Sequence, residues 1–170
     1  FSGNISFLQC PVTRECLTKL SIEKQIPLYC VAADVQSAFS RTNRMVQLFE
    51  CQRQGEFGKL FLFSVGFFSN TDVILTANGE FSERVSEWLG AAQGGIRLPG
   101  ARKIYSVPLS EMVRNSGIGA EFYGIDFGVA FVADDSLGFT TSENRFNLMS
   151  QIYERYARDH GVIYEFSKLD

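Results

Sequence analysis

Apolar residues concentrate in two adjoining runs near the middle of the chain, Lys59–Phe68 and Asp72–Ala77. A polar Ser69-Asn70-Thr71 break separates them, and Asn78-Gly79 closes the second. Runs rich in Phe, Val and Ile and bounded by turn residues predict paired strands. The first is apolar at nearly every position, as a central strand buried on both faces is. Upstream, Val31, Val35, Ala38, Phe39, Met45, Val46 and Phe49 recur at three- and four-residue spacing, with Asp34, Gln36, Arg41, Arg44 and Gln47 mostly on the other side. This spacing predicts one long helix over Leu28–Cys51, stopped at Gln54-Gly55. Before it, Pro11 suits the first position of a short helix carrying Val12, Cys16, Leu17 and Leu20, and Pro27 ends that segment.

Downstream, Ser82 reads as a helix N-cap with Glu83 in the first turn, and Val85, Trp88 and Leu89 give that short helix an apolar side up to Gly90. Residues 91–101 are loop-like, with Gly94-Gly95 and Pro99-Gly100. Lys103–Val107 reads as a third strand stopped by Pro108, and Ser110–Gly119 as a polar connection. Glu121–Phe127 and Gly128–Ala133 are further strands, or one strand bulged at Gly128. Asp134-Asp135 then turn the chain. Thr140 to Glu143 has capping-box spacing ahead of a helix carrying Phe146, Met149, Ile152, Tyr153 and Tyr156, which Gly161 ends. Val162–Phe166 is a last apolar strand. A block of strands with helices around it predicts an α+β fold, an antiparallel sheet of about five strands with the long helix packed on it. The organisation expected is a helical region over 1–55, a lobe over 56–136, and a connecting helix with a terminal strand or the start of a second lobe over 137–170.

Composition narrows the function. The chain has 170 residues, 45% hydrophobic and 21% charged, enough for one domain with its own core or one domain plus part of a second. Sixteen Phe residues point to an aromatic interior. A net charge of −3 and a pI near 5.3, with no Lys/Arg cluster, argue against direct contact with nucleic acid. No apolar run approaches the roughly 18–20 residues of a membrane span. Starting at Phe1, the chain reads as a piece of a longer protein. Cys10, Cys16, Cys30 and Cys51 form no C-x-x-C pair and lie far from His160, the only histidine, so no metal site is expected. They read as free thiols, with one or two disulfides the alternative in an extracellular protein.

Catalytic signatures are missing. There is no G-x-S-x-G elbow, no G-x-G-x-x-G and no phosphate-binding loop. Asp126, Asp134 and Asp135 lack calcium-loop spacing and read as turn and cap residues. His160, beside Gly161, suits a helix C-terminus. An enzyme is therefore not expected, and no cofactor is implied.

The long helix followed by KLFLFSVGFFSNTDVILTANGEFS resembles the ligand-sensing Cache domains outside the membrane in bacterial receptors. The likeness is to the sensor regions of membrane-anchored AraC-type transcription regulators and related histidine kinases of two-component systems. Gly79, the helix from Ser82, KIYSVPL (Lys103–Leu109) and GVAFVADDS (Gly128–Ser136) resemble that family's successive turn, helix and strands. The family's amino-acid-binding cluster of aromatic, Arg and Trp-Tyr is not present, so amino-acid sensing is not implied. The resemblance implies a PAS-like lobe acting as an extracellular signal-input domain, a non-enzymatic sensor in a membrane-spanning parent, and a dimer through Leu28–Cys51. In such a lobe the region of Trp88 lies over one sheet face, where a small-molecule ligand would bind. Tyr105 and Tyr123 would add hydroxyls, Arg97 and Arg102 would pair with an anionic ligand, and Asp126 lies at a nearby strand end. Two alternatives stand beside this reading: a cytosolic PAS/GAF- or longin-like scaffold that binds a protein partner, and an enzyme of unrecognised type.

Overall fold

The computed structural model describes residues 9–36, 40–69, 72–86, 89–90, 98–132 and 135–167. In chain order these form α1 (Gln9–Lys24), β1 (Tyr29–Val35), α2 (Arg44–Arg53) and α3 (Gly58–Phe68). Four two-residue strands follow: β2 (Asp72–Val73), β3 (Thr76–Ala77), β4 (Glu80–Phe81) and β5 (Val85–Ser86). Then come α4 (Leu98–Ser116), β6 (Glu121–Phe122), β7 (Ile125–Asp126), β8 (Val129–Val132), β9 (Asp135–Thr140), α5 (Glu143–His160) and β10 (Tyr164–Ser167). The protein is α+β, with two compact units: residues 1–36 with 106–170, and residues 37–105.

The first unit is built on an antiparallel sheet of four strands in the order β10-β1-β9-β8. Its β1 buries Val31, Ala33 and Val35 and exposes Asp34, the two-residue alternation of a strand. One sheet face meets α5. A Cβ on Gly138 of β9 would lie 3.2 Å from the Met149 sulfur and 3.3 Å from Tyr153, and Tyr164 of β10 stands 5.3 Å from Tyr153, ring to ring. The other face meets α1, where Leu17 packs with Ala120, Phe122, Ala130 and Phe139. The α5 helix is amphipathic, burying Met149, Tyr153 and Tyr156, and Gly161 ends it in the left-handed conformation at φ 68°. Its N-cap is Ser142, whose hydroxyl accepts from the Arg145 N–H at 3.4 Å, rather than the expected Thr140.

The second unit holds α2, α3 and a narrow hairpin in which β2 pairs with β5 and β3 with β4. As expected, Asn78-Gly79 makes the turn, both at positive φ (53° and 84°), which suits the twist of a two-residue hairpin. Both helices bury polar residues together with apolar ones, Leu48 and Cys51 on α2 and Phe68 on α3. On α2 the buried residues include Arg44, Gln47 and Glu50, while Met45 and Phe49 are exposed. Arg44 donates from Nε to the Gly90 carbonyl at 2.6 Å, and Ser64 of α3 donates to Glu56 Oε2 at 2.6 Å.

Several expected elements are different. The helix over Leu28–Cys51 is β1 followed by α2, because burial alternates through Val35 and Asn43 caps a new helix by accepting from Met45 and Val46 N–H at 3.1 and 3.2 Å. The run Lys59–Phe68 is a helix, not a strand, its length favouring helix where periodicity does not decide. The run Asp72–Ala77 pairs forward with 80–86 instead. Lys103–Val107 lies inside α4, where Tyr105, Leu109 and Val113 recur every four residues and are fully buried, and Pro108 stands within the helix rather than ending a strand. No helix starts at Ser82. Its hydroxyl accepts the Leu75 N–H at 2.9 Å and closes the hairpin instead. The main sheet has four strands among the described residues, against the five expected.

Candidate active site

Asp34 stands near the C-terminal end of β1. Its direct partner on β10 is Glu165. On the other side β1 pairs with β9 in a register that runs from Tyr29 opposite Thr140 to Ala33 opposite Ser136. Asp34 is the next residue of β1 beyond Ala33, and Asp135 the next of β9 beyond Ser136. Residues directly opposite in a sheet share a face. Tyr164, opposite Val35, packs on Tyr153 of α5, so Glu165 and Asp34 belong to the other face. Asp135 shares that face, two and four residues from Leu137 and Phe139, which pack on the α1 side. Three carboxylates thus form a row across three neighbouring strands, and all three residues are exposed.

The β8–β9 hairpin positions this row. Val132 of β8 pairs with Asp135 of β9. Ser136 donates to the Ala33 carbonyl at 3.4 Å and ties the hairpin to β1. Carboxylate oxygens are hard donors that suit Mg²⁺ or Mn²⁺, and Mg²⁺ is commonly held by one or two carboxylates with substrate phosphates completing its shell. No three His, Cys, Asp or Glu side chains among the described residues enclose an ion by themselves.

Of the residues expected to line a ligand pocket, those described lie on α4 and on the β6–β7 hairpin. Trp88, Arg97 and Asp134 lie outside the described residues. Arg102 falls in α4, with its side chain also outside them. Tyr105, expected on a strand beside Tyr123, is a fully buried helix residue of α4 in the second unit. Tyr123 and Asp126 both belong to the β6–β7 hairpin of the first unit. Tyr123 is exposed at the turn with φ 54°, its ring 4.7 Å from the Lys24 Nζ and its hydroxyl 3.5 Å from Glu23 Oε1. Its bond to Lys24 raises the pKa of that ammonium above the usual lysine range. Asp126 is exposed, with a carboxylate oxygen in the space that side chains on Gly119 and Gly128 would need. Cys16, Cys30 and Cys51 form no disulfide among the described residues.

The sequence reading passed over Asp34, which it set on the polar side of a helix, and took Asp135 as a turn residue. A usable signal was present in the two matching segments Val31-Ala32-Ala33-Asp34 and Val132-Ala133-Asp134-Asp135, apolar runs that each end in aspartate.

No family model matches the chain, and no curated protein matches it. Among solved structures, its fold is similar to apo telomerase from Candida tropicalis truncated from the C-terminal domain, with a TM-score of 0.66 at 12% identity. That similarity covers 94% of this chain and 35% of the telomerase chain, so the chain spans about a third of that structure's length.

Proposed function

We propose that this chain is the catalytic lobe of a nucleic-acid polymerase of the telomerase kind, joining nucleotides through Asp34 and Asp135. The observation that carries the reading is that these two aspartates lie on one face of the neighbouring strands β1 and β9, each adjoining the pair Ala33–Ser136, in a fold similar to that of telomerase over 94% of the chain. Polymerases use a pair of cations held by carboxylates at one point of a sheet. Bound there, the cations would neutralise charge on the transferring phosphate and bring the attacking hydroxyl into line. Asp34 and Asp135 would hold them, with Asp134 the adjoining candidate by sequence. Backbone pairing holds both strands next to them, Asp34 to Glu165 and Asp135 to Val132. With a net charge of −3, the chain has no surplus of Lys and Arg to offer phosphates, and bound cations reverse that local sign.

The test is incorporation of labelled nucleotide onto a primed template, with Mg²⁺ or Mn²⁺, by the full-length protein that contains this chain. Incorporation lost in both Asp34→Asn and Asp135→Asn supports the reading. Incorporation that survives both substitutions overturns it. A saturable thermal shift with a sugar or organic acid, in a protein with no nucleotide incorporation, would instead favour the sensor implied by the Cache resemblance.

A further inference from the structure

We propose that α3 is the seam of a symmetric dimer, packing antiparallel on α3 of a second copy of this chain; the inference does not depend on the polymerase reading. The helix Gly58–Phe68 carries a single charge, on Lys59, yet more than half of its residues are exposed. Phe61, Ser64, Val65 and Phe68 recur at three- and four-residue spacing and form its buried or half-buried side. Lys59, Leu62, Phe63 and Gly66 make the opposite stripe, and all four are exposed. Leu60 borders that stripe, and Phe57 stands at the N-cap. The large apolar residues Phe57, Leu60, Leu62 and Phe63 are 51–67% exposed. A helix that is apolar on both sides is one that is covered on both sides.

Two features point to a second copy as the cover. The first is the shape of the stripe. Phe63 offers a ring and Gly66, about one turn on, offers no side chain; a Cβ there would meet nothing within 4 Å. Glycine weakens a helix interior, and close approach by another helix is what its size permits. A two-fold axis matches a surface with itself, so that residue i meets j and j meets i. An antiparallel pair centred between residues 64 and 65 seats Phe63 of each copy over Gly66 of the other. The two Lys59 ammoniums then lie roughly 16 Å apart along the helix at its rise per residue, beyond the ~8 Å over which physiological salt screens them. The second feature is area. With large side chains of about 200 Å² each, the four residues offer about 500 Å², and Met45 and Phe49 on the neighbouring α2 bring this to about 800 Å². A stable interface takes about 800 Å² from each partner.

The experiment is sedimentation velocity over a concentration series, on the nuclease-treated full-length protein that contains this chain, in the wild type, Phe63→Ala, Gly66→Phe and an equal mixture of the two variants. The wild type should dimerise. Each variant alone should dimerise about tenfold or more weakly, Phe63→Ala by leaving the space over Gly66 empty and Gly66→Phe by setting two rings against each other. The mixture should recover wild-type affinity: the introduced ring fills the space left by Phe63→Ala on one side, and the native contact of Phe63 with Gly66 forms on the other. Both positions are exposed, so circular dichroism melts of the variants should follow the wild type. A wild type that stays monomeric to its highest soluble concentration overturns the proposal, and protection of α3 from hydrogen exchange in that monomer would assign the stripe to another part of the same protein. A dimer indifferent to both substitutions places the seam elsewhere. Two weakened variants that do not rescue each other on mixing overturn the antiparallel pairing of Phe63 with Gly66, and the proposal with it.

Discussion

Gly138 of β9 lies directly beneath Met149 of α5: a Cβ at Gly138 would stand 3.2 Å from the Met149 sulfur and 3.3 Å from both its Cγ and the Tyr153 ring. The close approach of helix and sheet is made by the missing side chain. Met149 and Tyr153 are both fully buried, so neither has free space to give. Gly138→Ala should therefore cost about 1 kcal/mol, and Gly138→Val about 2–3 kcal/mol, as overpacking does. Urea unfolding midpoints of the two variants check this, and a neutral Gly138→Val would show that α5 docks more loosely.

Gly161 raises a different demand, for conformation and not for space. A Cβ there meets nothing within 4 Å, but its φ is 68° at the end of α5. Gly161→Ala should lose about 1 kcal/mol and Gly161→Asn less, because Asn tolerates the left-handed region. Thermal melts of both variants distinguish this from a packing effect, which would penalise Asn more than Ala.

Phe139 and Phe49 separate core from surface. Phe139 is fully buried on the α1 face, so Phe139→Ala should cost about 3–5 kcal/mol. Phe49 on α2 is 62% exposed, so Phe49→Ser should change stability by less than about 0.5 kcal/mol while improving solubility. Chemical denaturation gives the first quantity, and light scattering at increasing concentration the second.

Asp34→Asn and Asp135→Asn should each lower nucleotide incorporation by about 10²-fold or more, the range seen when a transition-state charge contact is removed. Asp34→Asn should not lower the melting temperature, because it removes one of two like charges, Asp34 and Glu165, that stand directly opposite and exposed. Removal of divalent cations by chelation should abolish incorporation and leave the far-ultraviolet circular dichroism unchanged. Unfolding on chelation would assign the metal a structural role.

Parts of the fold were legible in the sequence for physical reasons. The α5 stripe of Met149, Tyr153 and Tyr156, its glycine stop and the Asn78-Gly79 turn are local signals, set by helix period and backbone conformation. The alternation Val31, Ala33, Val35 was also present, but Ala38 and Phe39 extend the apolar positions at helical spacing and disguise the strand as the start of a longer helix. Residues 59–68 misled because a run that is apolar throughout has no period. Its helix exposes Leu60, Leu62 and Phe63 and buries Ser64 and Phe68. The carboxylate row was not legible locally. Asp34 and Asp135 are brought together by sheet order, and Glu165 joins them only because the last strand returns to the edge of the first.

That return sets the order in which the molecule forms. A hydrogen bond from Ser136 to Ala33 spans 103 residues, and the whole second unit is threaded between β1 and the rest of the first. On a ribosome, β1 emerges early and waits for both of its neighbours until the end of α5 and β10 have been made. Closing so long a loop is entropically slow, whereas the second unit can form while synthesis continues. The sheet that carries the aspartates is thus expected to be the last part of this chain to assemble, and Asp34 keeps the waiting strand charged at one end, a guard against pairing with the wrong edge.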